Sequence, residues 1–252
     1  MSRQDQSGTA PPGQPRIVFL HIVKTAGTSL VGHFRKSLPR GQVFSHGDFM
    51  QFPQDRPLPR EVFDRYRFLS GHFGYTHIAP YLDESYSFTF LRDPVARVLS
   101  FYTFCLHEDM QRKFAVARAA VQLGLEGFLE SDLPEVAEML DNQQTWQLAR
   151  MYWQADRNVL RTLRDEDLLG LASEHIHRFS RVGFTETFDE DFAAILGDLG
   201  MPSPAVVPRH FETANPVVAG MLPQSVLERL RERMSLDQAL YERTRAARTA
   251  PG

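Results

Sequence analysis

The segment from Phe19 to Ser29 constrains the fold of this chain more strongly than any other stretch. An apolar run reaches Ile22, the following loop holds one lysine, one glycine and three hydroxyl residues, and a helical pattern begins at Leu30. The first N–H groups of a helix have no partner inside the helix, and the helix dipole favours negative charge beside them. The segment therefore predicts a phosphate-type anion site between a strand and a helix. Its expected binding residues are Lys24, Thr25, Ala26, Gly27, Thr28 and Ser29.

The composition of the 252 residues narrows the functional classes. Hydrophobic residues make up 42 %, enough to bury a sizeable core, and the formal net charge of -3 disfavours general nucleic-acid binding. The one cysteine, Cys105, rules out an intramolecular disulfide, and its apolar neighbours favour a buried, inert thiol. No apolar run approaches the roughly 20 residues that span a bilayer, and residues 1–15 lack the apolar core of a signal peptide. We expect a soluble, cytoplasmic protein without a membrane span, and the oligomeric state is left open.

Apolar, β-favouring runs alternate with helical patterns along the chain. The predicted strands are Arg16–Ile22, Gln42–Phe44, Arg67–Ser70, Tyr86–Leu91 and Arg181–Phe184. The predicted helices are Thr28–Ser37, Pro94–His107, Arg112–Leu123, Glu135–Leu148, Asp165–His177, Asp189–Leu199, Gln224–Met234 and Leu236–Ala246. This alternation predicts an α/β fold, a three-layer, P-loop-like parallel sheet flanked by helices. We expect a single domain over residues 16–246 with a helical insertion at about 111–170, a disordered tail at 1–15 and a C-terminal tail at 247–252.

A second candidate anion site follows the predicted strand that ends at Leu91. Arg92 stands at the carboxyl end of this strand, where ligands of open α/β sheets bind, and its guanidinium fork suits a phosphate. Asp93 is a plausible N-cap and Pro94 a plausible first helical residue. Ser100, farther along the same predicted helix, reaches the ligand only if that ligand lies along the helix. The alternative is a salt bridge between Arg92 and a carboxylate, with Ser100 merely exposed.

Together the two segments resemble the sulfotransferases that use 3′-phosphoadenosine 5′-phosphosulfate (PAPS), most closely the branch of heparan and chondroitin uronyl 2-O-sulfotransferases and their bacterial relatives. The first segment is similar to His-x-Pro-Lys-Thr-x-Gly-Thr-Ser, with Val23 in place of the proline, and Leu91–Tyr102 is similar to Leu-Arg-Asp-Pro-x-x-Arg-x-x-Ser-x-Tyr. Further similar segments occur in the family's order at Ser70–Gly74, Asp141–Thr145, Val182–Asp189 and Leu236–Tyr241.

The resemblance implies a role for each candidate site residue. The loop at residues 24–29 holds the 5′-phosphosulfate, with Lys24 near the bridging oxygen, and Arg92 and Ser100 hold the 3′-phosphate. It also implies PAPS as the sulfuryl donor, with a hydroxyl of a carbohydrate or small molecule as the acceptor. We expect no metal, because a sulfuryl group carries less charge than a γ-phosphoryl group.

His72 is the candidate general base that removes the acceptor proton. It follows a predicted strand end, its usual pKa lies near neutrality, and the resemblance implies the catalytic histidine at this position. The alternative is a histidine bonded to a backbone carbonyl near a turn, and His46 and His77 are the fallback bases. His175 and His177 lack nearby acids or cysteines at ligand spacing and are not expected to bind metal. The role of residues 209–216 is left open.

Two other functions remain as alternatives. A kinase-like phosphotransferase is disfavoured because Lys24 precedes its glycine, whereas the lysine of Gly-x-x-x-x-Gly-Lys-Ser/Thr follows the glycines. A catalytically silent nucleotide-binding protein is disfavoured by the presence of both Lys24 and His72.

Overall fold

Five parallel strands form the sheet, in the order β2-β3-β1-β4-β5. The computed structural model describes residues 15–150, 163–204 and 217–249. Its strands are β1 (Arg16–Leu20), β2 (Val43–Phe44), β3 (Phe68–Gly71), β4 (Ser85–Leu91) and β5 (Arg181–Phe184). All five predicted strands are present, and the predicted α/β class with a parallel sheet flanked by helices is confirmed.

The helices account for most of the remaining described chain. They are α1 (Gly27–Ser37), α2 (His46–Phe49), α3 (Arg60–Arg65), α4 (Tyr75–Ile78), α5 (Pro94–Cys105), α6 (Glu108–Lys113), α7 (Ala115–Glu130), α8 (Pro134–Leu140), α9 (Gln143–Ala149), α10 (Asp165–Ile176), α11 (Phe188–Asp198), α12 (Gln224–Arg233) and α13 (Ser235–Thr249). Within the described ranges, none of them is long and apolar enough to cross a membrane.

Two predicted helices were wrong in their extent. The helix predicted over Arg112–Leu123 is divided between α6 and α7, and the helix predicted over Glu135–Leu148 is divided between α8 and α9. The second break lies at Asn142, whose φ of 49° is incompatible with a continuing right-handed helix. The last helix also runs beyond its predicted end, to Thr249.

The described residues fall into two compact units. The first unit comprises residues 15–22, 26–91, 146–150 and 163–204, and it contains the whole sheet. The second unit comprises residues 23–25, 92–145 and 217–249, and it is helical. Residues 1–14, 151–162, 205–216 and 250–252 lie outside the described chain. With them lie nearly all of the predicted N-terminal tail, part of the predicted helical insertion, the loop at 209–216 and the end of the predicted C-terminal tail. The single domain over 16–246 stays a prediction.

Aromatic side chains form the core of the first unit on one face of the sheet. Phe19 of β1 stacks on Phe88 of β4 with ring centroids 4.8 Å apart, and Phe34 of α1 stacks on Phe68 of β3 at 4.2 Å. Helix α11 contributes Phe192 to the same cluster. Because side chains alternate between faces along a strand, the buried intervening residues show that the other face is covered as well.

In the second unit, two helices cap each other's first turns. Asn142 accepts the N–H groups of Leu236 (3.0 Å) and Asp237 (3.1 Å) at the start of α13. In return, the Asp237 carboxylate accepts the N–H groups of Gln144 (3.2 Å) and Thr145 (2.8 Å) at the start of α9. The first N–H groups of a helix have no partner inside it, so each side chain satisfies donors that the other helix leaves open.

Candidate functional site

The carboxyl ends of β1 and β3 meet at one edge of the sheet in the first unit. Leu20 pairs with Gly71 in the parallel ladder, and the His21 N–H donates to the Gly71 carbonyl at 3.1 Å. The chain passes from β1 to β2 and β3 on one side, then to β4 and β5 on the other, so the strand order reverses at β1 and β4. Ligands of open α/β sheets bind beyond the carboxyl ends of strands at such a reversal. His21, at the end of β1, therefore lies at the reversal, and His72 lies at the end of the neighbouring strand β3.

His72 is held in a defined tautomer. Its Nδ1 lies 2.8 Å from the His21 carbonyl oxygen, and because a carbonyl only accepts, Nδ1 must carry the proton. The basic lone pair is then on Nε2. Burial, and secondly the charge of His46, lower the pKa of His72 to about 3, so the imidazole is neutral at pH 7. The neutral imidazole has an unprotonated Nε2 that can accept a proton, but the lowered pKa makes this nitrogen a weak base in the structure as it stands.

The two fallback histidines have different surroundings. His77 is fully buried; its Nδ1 accepts the Gly74 N–H at 3.1 Å, and its Nε2 lies 3.1 Å from the Gln54 carbonyl. Both ring nitrogens of His77 are thus hydrogen-bonded to backbone groups. His46 is half-buried, its ring centroid lies 4.5 Å from that of His72, and burial lowers its pKa. Its Nδ1 accepts the His72 N–H at 3.4 Å, which makes it a neighbour of the candidate base.

The start of α1 carries the first-unit part of the predicted anion loop. Ala26, the N-cap residue, has a left-handed φ of 64° and a methyl side chain that cannot accept the first helical N–H groups. Gly27 packs against His21 so closely that a Cβ there would lie 1.9 Å from the histidine Nε2. Thr28 is exposed and Ser29 is buried. The absence of a side-chain cap on this helix start suits an anion in its place.

Lys24 lies in the second unit, in an unusual environment for a lysine. Its backbone is left-handed, with φ 69°, and its Nζ lies 4.6 Å from the centroid of the Phe104 ring. Burial, followed by the positive charge of Arg92, lowers the pKa of Lys24 to about 8. Thr25, the next residue, is fully buried. Cys105 is also buried, as predicted, and burial raises the pKa of its thiol to about 12. That the thiol is inert stays a prediction.

Arg92 joins the two predicted phosphate-binding segments. Its Nη1 donates to the Lys24 carbonyl oxygen at 3.1 Å, which brings the two predicted cationic residues together within the second unit. Asp93 caps α5, as predicted, by accepting the Ala96 N–H at 2.8 Å, with Pro94 as the first helical residue. Ser100 lies farther along α5 and is half-buried. Two of the predicted binding residues are thus in direct contact.

Two buried glutamines, Gln144 in the second unit and Gln147 in the first, were not identified from the sequence. The Gln144 side chain hydrogen-bonds to the backbone of Arg92 through both its oxygen and its nitrogen. The Gln147 Nε2 donates to the carbonyls of His21 and Phe73, each at 3.0 Å. Gln144 lies in segment 141–145, which the sequence analysis identified as similar to a family segment. Its residue type alone does not reveal a hydrogen-bond partner far along the chain.

The remaining histidine pair does not suggest a metal site. The His175 ring stacks on Tyr75 with centroids 3.7 Å apart, and its Nδ1 lies 2.9 Å from the Leu148 carbonyl oxygen. In the part of the chain that the structure describes, no group of three or more His, Cys, Asp or Glu residues could hold a metal ion. That the reaction needs no metal stays a prediction.

The first unit has a parallel sheet with histidines at the ends of two strands, and the second unit contains the hydrogen bond between Arg92 and Lys24. Residues 12–242 match the sequence model of the sulfotransferase family, so this chain belongs to the sulfotransferase family. No curated protein sequence matches the chain significantly.

Two solved structures are similar to the chain over most of its length. The sulfotransferase from Alicyclobacillus acidocaldarius is 12 % identical, with 92 % of this chain and 96 % of that chain covered and a TM-score of 0.43. Mouse sulfotransferase SULT7A1, complexed with PAP, is 14 % identical, with 90 % of this chain and 88 % of that chain covered and a TM-score of 0.41.

Proposed function

We propose that this sulfotransferase transfers the sulfuryl group of PAPS to a hydroxyl of a carbohydrate or small-molecule acceptor. The observation that carries the proposal is the 3.1 Å hydrogen bond from Arg92 to the Lys24 carbonyl. It joins the residue assigned to the 3′-phosphate to the residue assigned to the reacting phosphosulfate. A donor with phosphate at both positions explains why two cationic residues from distant parts of the sequence meet there.

Each residue has a distinct task toward the donor. Residues 25–29 are assigned to the 5′-phosphosulfate through backbone N–H groups and hydroxyls, and Arg92 with Ser100 to the 3′-phosphate. Lys24 is assigned to the bridging oxygen, where negative charge develops as the sulfuryl group leaves. Preorganised positive charge at that atom lowers the barrier most, as in phosphoryl transfer. Its lowered pKa also lets Lys24 hold or release a proton near pH 8.

His72 is assigned as the general base. The tautomer fixed by the His21 carbonyl presents a basic Nε2. Its low pKa keeps the nitrogen unprotonated, and an anionic donor bound nearby raises this pKa toward the range in which proton abstraction from an alcohol is efficient. We further propose that the chain is nearest to the uronyl 2-O branch, supported by the similarity of Leu91–Tyr102 and Val182–Asp189 to that branch.

A transfer assay tests this function. The protein is incubated with PAPS and either an unsulfated chondroitin oligosaccharide or a phenol, and both 3′,5′-ADP release and sulfated acceptor are measured by mass spectrometry. We expect transfer by the wild type, and loss of about a hundredfold or more in Lys24→Ala and in His72→Ala. The matched controls are Lys36→Ala and His177→Ala, which alter exposed residues and should retain wild-type turnover. Near wild-type turnover in Lys24→Ala or His72→Ala contradicts the role of that residue.

A further inference from the structure

Gln144 forms a two-point contact with the backbone of Arg92. Its Oε1 accepts the Arg92 N–H at 3.0 Å, and its Nε2 donates to the Arg92 carbonyl at 3.0 Å. A side-chain amide that pairs with both backbone groups of one residue acts like a neighbouring strand, since it fixes that residue's peptide planes from both sides. Arg92 directly follows β4, where the ladder has ended, so Gln144 supplies the constraint that the sheet no longer provides.

Gln144 is itself rigidly placed. Its side chain is fully buried, and its N–H donates to the Asp237 carboxylate at 3.2 Å. The other oxygen of Asp237 accepts the Thr145 N–H and the Thr145 hydroxyl, both at 2.8 Å. Because Asp237 is also fully buried, these bonds compete with little water. The first turn of α9 is therefore anchored at the position from which Gln144 reaches Arg92.

The constraint continues beyond Arg92 to Lys24. The Arg92 guanidinium donates to the Lys24 carbonyl, and Lys24 has the left-handed backbone that an L-residue adopts only when its surroundings impose it. Asp237, Gln144, Arg92 and Lys24 thus form one continuous series of hydrogen bonds inside the second unit.

We propose that Gln144 is a positioning residue that aims the Arg92 guanidinium at the 3′-phosphate of the nucleotide, with Asp237 as its anchor. This inference rests on the proposed function, because it takes the 3′-phosphate as the group that Arg92 binds. Without the amide of Gln144, the Arg92 backbone gains freedom and its side chain loses its fixed origin. An ångström-scale misplacement of a binding group is sufficient to weaken an oriented, charge-assisted contact strongly.

Calorimetric titration with 3′,5′-ADP and with 5′-AMP tests the inference, because the two nucleotides differ only in the 3′-phosphate. In Gln144→Leu we expect the affinity for 3′,5′-ADP to fall about tenfold or more, while the affinity for 5′-AMP stays within about twofold of wild type. The matched control is Thr103→Val, which removes a buried hydroxyl hydrogen bond to the Leu99 carbonyl within α5 and leaves the bonds of Asp237, Gln144 and Arg92 intact. It should preserve the preference for 3′,5′-ADP.

Equal loss of affinity for both nucleotides in Gln144→Leu, or an unchanged preference for 3′,5′-ADP, overturns the positioning role. Gln144→Glu decides the question if Gln144→Leu does not fold. The glutamate retains the acceptor for the Arg92 N–H but donates to the Arg92 carbonyl only when protonated. We expect its preference for 3′,5′-ADP at pH 8 to be reduced relative to wild type, and a wild-type preference there overturns the inference.

The same titrations distinguish failure of this inference from failure of the proposed function. If the wild type binds 3′,5′-ADP no more tightly than 5′-AMP, the 3′-phosphate is not a ligand of Arg92 and the proposed donor is wrong. A different outcome is that the wild type prefers 3′,5′-ADP, that Arg92→Ala removes this preference and that Gln144→Leu retains it. In that case only the role of Gln144 is wrong.

Discussion

At the scale of single residues, the surroundings of Lys24 disfavour its positive charge. Its ammonium group is half-buried and faces the positive charge of Arg92, and the nearby Phe104 ring offers only partial compensation. Burial and the charge of Arg92 lower the pKa of Lys24 from 10.5 to about 8. Lysines with a pKa lowered in this way occur often at functional sites.

The lowered pKa of Lys24 should change the free energy of unfolding by a measurable amount. The pKa of Lys24 is lower in the folded state than in the unfolded state, so the unfolded chain binds more protons between pH 8 and 10.5. The charged Lys24 therefore destabilises the folded state at pH 7, and this destabilisation decreases as the pH rises through that window. At pH 7 we expect Lys24→Met to raise the free energy of unfolding by on the order of 1 kcal/mol, a figure reduced for solvent screening of the half-buried amine. Urea denaturation at pH 7 and at pH 10 measures the difference.

Lys36→Met, at an exposed position of α1, serves as the control and should change stability little at either pH. The advantage of Lys24→Met over wild type should shrink at pH 10. A variant that is less stable than wild type at pH 7, or whose advantage does not depend on pH, contradicts the electrostatic origin of the lowered pKa.

The residue types in the site could be predicted from the sequence, but their states could not. Lysine and alanine seldom adopt a positive φ, so nothing in the identities of Lys24 and Ala26 predicts their left-handed backbones. For His72, the sequence offered a catalytic base or a histidine bonded to a backbone carbonyl. The structure shows the carbonyl bond at Nδ1, and that bond leaves Nε2 as the basic nitrogen. The two interpretations are therefore compatible.

At the scale of elements, the turn from β1 into α1 depends on the small size of Gly27. The His21 ring occupies the space that a Cβ would need. We expect Gly27→Ala to destabilise the protein by about 1–3 kcal/mol through overpacking. In the double variant with His21→Ala, much of that cost should disappear, giving a coupling energy of about 1 kcal/mol or more. Urea denaturation of the wild type, both single variants and the double variant measures the coupling.

Gly197→Ala provides the matched control for a glycine at a helical position. Gly197 lies in α11 with open space where the alanine methyl group would stand, so the change should stabilise by about 0.5–1 kcal/mol through helix propensity alone. Additive effects of Gly27→Ala and His21→Ala would show that the ring and the glycine are not in contact.

Local patterns predicted the strands better than the helix ends. The run that became β1 is apolar and continuous after Arg16, which is the signature of a strand buried on both faces. In β4, aromatic residues alternate with the small polar residues Ser87 and Thr89, which are also buried. The short helices α2, α3 and α4 are too brief to show a helical period. The break at Asn142 depends on its bond to the start of α13, far along the chain, and no local pattern contains that information.

At the scale of the whole molecule, the family assignment and the sheet topology agree with the class predicted from the two loop motifs. The order of those motifs along the chain was sufficient for this prediction because each loop is read directly from consecutive residues. The hydrogen bonds from Arg92 to Lys24 and between Gln144 and Arg92 could not be predicted, because they join residues far apart in the sequence. The central claim is that these residues serve a nucleotide with phosphate at both its 3′ and 5′ positions.

Calorimetric titration of the wild type with 3′,5′-ADP, with 5′-AMP and with ATP in the presence of Mg²⁺ tests that claim most directly, because it needs no knowledge of the acceptor. We predict that 3′,5′-ADP binds at least about tenfold more tightly than either other nucleotide, since only it offers both phosphates to Lys24 and Arg92. Tighter binding of ATP with Mg²⁺ would contradict the claim and favour a phosphotransferase.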